Sequence, residues 1–330
     1  MTRISSPHYA KATSDFDSIP IVDLSDVKTQ NGFSRIAHEL IETAKKSGFF
    51  YVSNHGIDQV VIDRAFAASR SFFDLPKADK STITVNQKQR GWMAQGMTNL
   101  EGAKTHDAKE VFFWGWDVTD DDPDMLAGLP MVAPNCWPDT VAPTLKRDLL
   151  PYYEQVVSLS RTILSALAVG LGQDRDFFAK AYEKPLARGQ LVYYPTATDQ
   201  DLQEERFGAA THSDFGVLTV LLQDMQGGLQ VQNLMGDWIE APPIAGTFVC
   251  NIGDLLERWT NNRLISTKHR VLNRSGNSRY SIPIFCDPAS DTVIDPRDLG
   301  VPDSKALFDS VTAGDYIMSK NKRNFSQYKP

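Results

Sequence analysis

Three side chains in this sequence are spaced to hold a metal ion. His212 and Asp214 stand two apart in Thr211-His212-Ser213-Asp214-Phe215, and the continuation Val217-Leu218-Thr219-Val220-Leu221-Leu222 has the aliphatic, β-branched character of a buried strand. Positions i and i+2 of a strand face the same side, so the spacing predicts an imidazole and a carboxylate aimed together into whatever the sheet encloses. His269, in Ser266-Thr267-Lys268-His269-Arg270-Val271-Leu272, is the best candidate for a third ligand and lies in another strand-like segment. Two His and one carboxylate on one face of a metal leave the opposite positions open, the arrangement of non-haem iron(II) oxygenases. Zinc accepts the same ligand types in four-coordinate sites, with a water or substrate in the last place.

A second pair repeats the spacing. Arg279 and Ser281 share a face of Arg279-Tyr280-Ser281-Ile282-Pro283-Ile284-Phe285. A guanidinium enclosed by a barrel needs an anion, and its planar fork suits a carboxylate. The neighbouring hydroxyl can donate a further bond to that anion. An open metal beside a carboxylate clamp implies a small dicarboxylate that chelates the metal at one end and is clamped at the other.

His212-x-Asp214, the distal His269 and Arg279-x-Ser281 together resemble the iron- and 2-oxoglutarate-dependent dioxygenases of the isopenicillin N synthase-like type. The likeness extends to Gly48-Phe49-Phe50-Tyr51-Val52-Ser53-Asn54-His55-Gly56, to Arg90-Gly91-Trp92 and to Asp107-x-Lys109-Glu110-Val111-Phe112. The resemblance implies Fe(II) held by His212, Asp214 and His269, dioxygen as oxidant, and 2-oxoglutarate as cosubstrate with its far carboxylate on Arg279 and Ser281. Tyr194 matches a family tyrosine whose hydroxyl reaches the 2-oxoglutarate carboxylate, whereas Val192 stands where plant members often carry Asn. Trp92, Phe215 and Phe285 are the candidate substrate contacts. The activity implied is oxidative decarboxylation of 2-oxoglutarate, giving succinate and carbon dioxide, coupled to oxidation of a small-molecule substrate, by default hydroxylation. Two alternatives stay open at this point. One is an oxidase or cyclase of the same fold that does not use 2-oxoglutarate, since such members can keep the Arg-x-Ser pair. The other is a non-catalytic metal-binding barrel.

These side chains need a scaffold, and the chain changes period to supply one. Before Arg188 the apolar spacing is largely helical: Phe33 to Lys46, about Asp58 to Phe73, Thr144 to Leu171 and Asp176 to Tyr182, the third interrupted by Pro151, which kinks the helix or marks its start. Short strands at Ile19 to Leu24 and Phe49 to Ser53 lie among them, while Leu75 to Val118 reads as irregular and Thr119 to Asp124 as a solvated acidic loop. His55, in the turn after the second strand, reads as structural. After Arg188, Gln190 to Pro195, Val217 to Leu222, Leu229 to Val231, Trp238 to Glu240, Thr247 to Asn251, His269 to Leu272 and Arg279 to Phe285 form short strands between turns such as Gly227-Gly228. Asp315 to Lys322 reads as part of a terminal helix. The fold class is mainly β with flanking helices, a double-stranded β-helix or jelly-roll barrel. Residues 1–330 form one enzyme domain, with a helical N-terminal region over 1–120 packing on the barrel and a jelly-roll core over 188–290 carrying the metal site.

Composition narrows the partners. With 42% apolar residues in 330 there is material for one large core, and a net charge of −7 argues against a nucleic-acid partner, which needs clustered Lys and Arg. Met1 to Asp17 is polar and has no apolar leader segment, and no run is long enough to span a membrane. Cys136, Cys250 and Cys286 are too widely spaced for a disulfide framework or zinc ribbon, so free thiols in the cytoplasm are expected. Nothing in the sequence fixes the oligomeric state.

Overall fold

The computed structural model describes residues 16–97, 105–204 and 206–328, so most of the polar N-terminal stretch lies outside the described residues. Among the described residues twelve strands make the two main sheets, beside a two-stranded ladder of Val293–Ile294 with Val311–Thr312. The twelve are β1 (Ile21–Asp23), β2 (Phe49–Ser53), β3 (Gly91–Met93), β4 (Glu110–Trp114), β5 (Arg188–Tyr194), β6 (Ala209–His212), β7 (Leu218–Gln223), β8 (Leu229–Gln232), β9 (Trp238–Glu240), β10 (Thr247–Ile252), β11 (His269–Val271) and β12 (Arg279–Cys286). The larger sheet runs β1-β2-β10-β7-β12-β5-β4-β3 and the smaller β6-β11-β8-β9, antiparallel except where β1 joins β2. The sheets face each other as a jelly roll without closing into a continuous barrel.

Alternation along the large sheet sorts its side chains into two cores. Phe49, Tyr51, Val111, Phe113, Val192 and Val249 point inward and pack with Ala209, Leu229, Val231 and Val271 of the small sheet. Their sequence neighbours Phe50, Val52, Phe112, Trp114, Leu191 and Phe248 point outward into a second core shared with the helices. Such double-sided burial explains why these strands read as continuous apolar runs.

Three helices cover the outer face. Gln30–Lys46 is capped by Thr29, whose side chain accepts from Gly32 N–H, and buries Phe33, Ile36, Ala37, Leu40, Ile41 and Ala44 on one stripe. Gly48, at φ +64°, then turns the chain into β2, and a side chain there would meet the Ile265 carbonyl. Gln59–Phe73 is capped by Asp58. The long helix Leu145–Gly170 ties itself to the sheet: Tyr152 donates its hydroxyl to Ile282 O at 2.9 Å and Tyr153 to Ala187 O at 2.7 Å.

Pro151 sits inside the long helix and does not mark its start, because the preceding turn still buries Leu145 and Leu149. The structure differs from the sequence reading in two segments. The stretch from Leu75 to Val118 contains β3 and β4, whose apolar residues are taken up by both cores. Asp176 to Tyr182 is a turn followed by a short 3-10 helix, Lys180–Tyr182, with its aromatics packed on Trp259. The terminal helix is Ala313–Asn324, with Thr312 as its cap. No helix among the described residues is long and apolar enough to cross a membrane.

Candidate active site

β6 and β11 pair so that His212 and His269 stand opposite each other at the inner edge of the small sheet. Their ring centroids are 4.3 Å apart, and Phe49 lies edge-on to His269 at 5.1 Å. Both rings are aimed by their own backbone. His212 Nδ1 is 2.7 Å from Ala210 O and His269 Nδ1 is 3.2 Å from Thr267 O. A carbonyl can only accept, so each Nδ1 carries the proton and each Nε2 presents a lone pair. Those two Nε2 atoms converge on Asp214 Oδ1, at 3.9 Å from His212 and 3.7 Å from His269. One donor atom from each of the three residues fits within a 4.8 Å sphere of mutual distances.

Asp214 is not on a strand. β6 ends at His212, and Asp214 falls in the connector to β7, so the pleat does not aim its carboxylate. Hydrogen bonds do so instead: Oδ2 accepts from Thr219 Oγ1 at 2.5 Å and from Asn251 Nδ2 at 2.7 Å, which leaves Oδ1 to the histidines. The Asp214 carbonyl also accepts from Asp254 N–H at 2.7 Å. Burial alone would raise the carboxyl's pKa, but the two imidazoles and the bonds from Thr219 and Asn251 outweigh it and hold it below the usual value. Burial, reinforced by His269, pushes His212 down to about 4, so its ring is neutral at neutral pH. A neutral His212 imidazole beside an ionised carboxylate is the protonation state that metal binding requires.

The second predicted pair lies on β12. Arg279 is 1% exposed and registers against Tyr194 of β5, over whose ring its guanidinium sits at 4.8 Å. Its Nε donates to Gly227 O at 2.8 Å and its Nη2 to Gln223 Oε1 at 3.1 Å. Its Nη1 is buried without a hydrogen-bond partner. A buried guanidinium held by two neutral acceptors, with one nitrogen left without a partner, is a cradle for an anion. Ser281, also 1% exposed, follows two residues later on the same face.

Phe215 and Phe285 both line a cavity that opens beside the triad, together with Met93, Lys109, Phe113, Arg188, Gln190, Asn321 and Phe325. Trp92 does not. It points to the helix side, where its Nε1 donates to Glu110 Oε2 at 3.0 Å and Lys80 Nζ lies 5.4 Å from its ring. Its neighbour Met93 takes the inward position, a one-residue parity that a three-residue strand does not reveal in sequence. His55 is structural: its Nδ1 accepts from Ile57 N–H at 3.1 Å and its ring meets Phe248 at 4.5 Å.

Sequence reasoning missed the residues behind the triad. Thr219 and Asn251 come from neighbouring strands, with Asn251 paired to Thr219 in register. The one available signal was a lone Asn in the apolar strand Thr247–Ile252. Asp107, which accepts from Ala210 N–H at 2.9 Å and pairs with Lys109 at 2.9 Å, carried only the resemblance.

Comparison with known proteins bears on the whole chain. Residues 19–140 match the profile of the non-haem dioxygenase in morphine synthesis N-terminal region, and residues 189–288 that of the 2OG-Fe(II) oxygenase superfamily. A probable iron/ascorbate oxidoreductase of Dictyostelium discoideum is 36% identical over 82% of each chain. Homoarginine-6-hydroxylase of Arabidopsis thaliana is 32% identical, over 94% of this chain and 99% of its own. A full-length Neurospora crassa protein solved with alpha-ketoglutarate and thymine superposes with a TM-score of 0.81 at 27% identity, covering 94% of this chain and 98% of its own.

Proposed function

The chain belongs to the 2-oxoglutarate- and iron(II)-dependent oxygenases of the isopenicillin N synthase-like family, and from that membership we propose which of its residues do the work. It is a 2-oxoglutarate-dependent dioxygenase that oxidises a small-molecule substrate. His212 Nε2, His269 Nε2 and Asp214 Oδ1 would hold the iron, because these three atoms converge while every other donor on the same groups is bonded elsewhere. A carboxylate with two imidazoles and no thiolate is a donor set suited to Fe(II). When bound, iron, 2-oxoglutarate and dioxygen supply the oxidant, and 2-oxoglutarate leaves as succinate and carbon dioxide.

The protein's own contribution is placement. Arg279 Nη1 would take the far carboxylate of 2-oxoglutarate, helped by the Ser281 hydroxyl, and the hydroxyl of Tyr194, whose ring lies 4.8 Å from the guanidinium, would reach the same cosubstrate. Phe215 and Phe285 line the cavity next to Asp214 and would hold the substrate's reacting carbon while excluding water. Hydroxylation is the default outcome of that arrangement. The three cysteines are free thiols, which supports a cytoplasmic setting.

The observation that carries this reading is the convergence of His212 Nε2 and His269 Nε2 on Asp214 Oδ1, with Arg279 Nη1 buried without a partner on β12 of the facing sheet. The test is succinate formation by the iron-loaded protein with 2-oxoglutarate under air, first alone and then with pooled small-molecule metabolites. Slow succinate formation that rises with one pool is the expected result. Bound iron with no succinate under any condition would overturn it in favour of an oxidase that does not use 2-oxoglutarate.

A further inference from the structure

Each cation on the described wall of the cavity already has a carboxylate of its own. Lys109 Nζ lies 2.9 Å from Asp107 Oδ2, and Arg188 donates to Asp287 Oδ2 from Nε at 3.0 Å and from Nη2 at 2.8 Å. Both carboxylate side chains are 0% exposed, so each counter-charge is buried behind its cation. Asp214, the remaining ionised residue on the described wall, faces the two imidazoles. A charged substrate would therefore shed its water without an unpaired counter-charge to receive it, which is costly in an enclosed site.

The hydrogen-bond inventory does leave a vacancy. An ammonium has three N–H bonds. Lys109 Nζ is held beside Asp107 Oδ2 as an ion pair without a formed hydrogen bond, and none of its N–H bonds has a hydrogen-bond partner among the described residues, while the side chain is only 14% exposed. Lys109 is also firmly placed. It precedes Val111 and Phe113 on the inward-facing positions of its chain segment, and Asp107 is fixed by Ala210 N–H in the strand that ends at His212. Around it Met93, Phe113, Phe215, Phe285 and Phe325 offer apolar and flat aromatic surface suited to a ring.

We propose that this cavity selects an uncharged, ring-sized substrate bearing a carbonyl oxygen, and that the Lys109 ammonium recognises that oxygen. The proposal rests on the dioxygenase reading above and supplies the substrate class that reading leaves open. Lys109 is thus a specificity residue whose positive charge is balanced by Asp107 so that it acts as a hydrogen-bond donor instead of an anion trap.

The test uses the full chain loaded with iron(II) and 2-oxoglutarate under argon. Ligand-observed NMR then measures affinity for three matched pairs, benzamide and benzoate, phenylacetamide and phenylacetate, and cyclohexanecarboxamide and cyclohexanecarboxylate. The amide of each pair should bind about tenfold tighter, the scale of one hydrogen bond to a charged donor. Asp107→Asn keeps an oxygen for Ala210 N–H but removes the counter-charge, and should shift preference toward the acids. The double variant Asp107→Asn with Lys109→Met avoids stranding a buried charge, and should lose the amide preference altogether. Tighter binding of the acids by the unmodified chain, an amide-to-acid ratio that Asp107→Asn leaves unmoved, or no binding of any amide at millimolar concentration would each overturn the proposal. Failure of the unmodified chain to turn over 2-oxoglutarate sinks the dioxygenase assignment without altering these ratios, so the two failures are separable.

Discussion

Asp214 divides its two oxygens between two tasks, and that division makes the site sensitive to residues that touch no metal. Oδ2 is occupied by Thr219 and Asn251, so Oδ1 alone faces the histidines. Removing the amide in Asn251→Ala frees the carboxylate to rotate, and iron affinity should fall about 10- to 100-fold, as outer hydrogen bonds to metal ligands typically require. An anaerobic iron titration checks this, and an unchanged affinity would mean that Thr219 suffices. Arg279 is the proposed clamp for 2-oxoglutarate. Arg279→Ala removes a charge-assisted contact, so the KM for 2-oxoglutarate should rise about 10- to 100-fold while iron affinity holds. Saturation curves for succinate formation separate the two effects. At this scale the ligand types were legible because each has few alternative uses: His212, His269 and Arg279 stand on strands that bring them inward, and Asp214 follows two residues after His212 in the connector. The supporting Thr219 and Asn251 were not, since a buried hydroxyl and amide look alike in sequence whether they hold a carboxylate or merely cap a turn.

The connector between β6 and β7 does for Asp214 what a strand does for the histidines. Asp287 reaches into it, accepting from Val217 N–H at 3.1 Å while its other oxygen is held by Arg188. Gly216 leaves the space for that carboxylate, because a Cβ there would lie 1.7 Å from Asp287 Oδ1. The carboxylate cannot swing aside without breaking a buried ion pair, a disruption on the order of 3–5 kcal/mol. Gly216→Ala should therefore lower the melting temperature and weaken iron binding together, whereas a change confined to stability would show that the connector relaxes without moving Asp214. The turn between β2 and the helix Gln59–Phe73 makes a different prediction. Burial lowers the pKa of His55 below 6.5, so the unfolded chain binds the proton more tightly than the folded one. Its stabilising contribution is complete above the unfolded value and is lost as pH falls through it. His55→Gln should flatten the stability curve between roughly pH 5 and 7, measured by urea denaturation. Element types were readable where one apolar stripe or run dominated, as in Phe49–Ser53 and Gln30–Lys46. They were unreadable where a strand has only three residues or where, as at Asp214, a carboxylate is aimed by a hydroxyl on the next strand and an amide 37 residues on.

On the scale of the whole molecule, the end of the chain closes the site that its middle builds. Helix Ala313–Asn324 contributes Asn321 to the cavity wall, and Phe325 follows it there. The helix is moored by Lys320, whose Nζ lies 3.1 Å from Asp254 Oδ2 and 5.5 Å from the Phe215 ring. Asp254 in turn donates its backbone N–H to the Asp214 carbonyl, so a single residue joins the closing helix to the proposed metal ligand. This mooring is partly buried, with Lys320 at 26% and Asp254 at 11% side-chain exposure, so it is worth more than an open surface pair but remains on the order of 1 kcal/mol. Lys320→Met should make local opening of the helix easier by that amount, and amide exchange along Ala313–Asn324 should speed up about fivefold while β7, β10 and β12 keep their protection. Exchange that accelerates equally in the strands would mean that Lys320 stabilises the fold as a whole. Exchange that does not change would mean that the helix is held by Ile317 and its apolar neighbours, leaving the mouth of the cavity set by packing instead of charge.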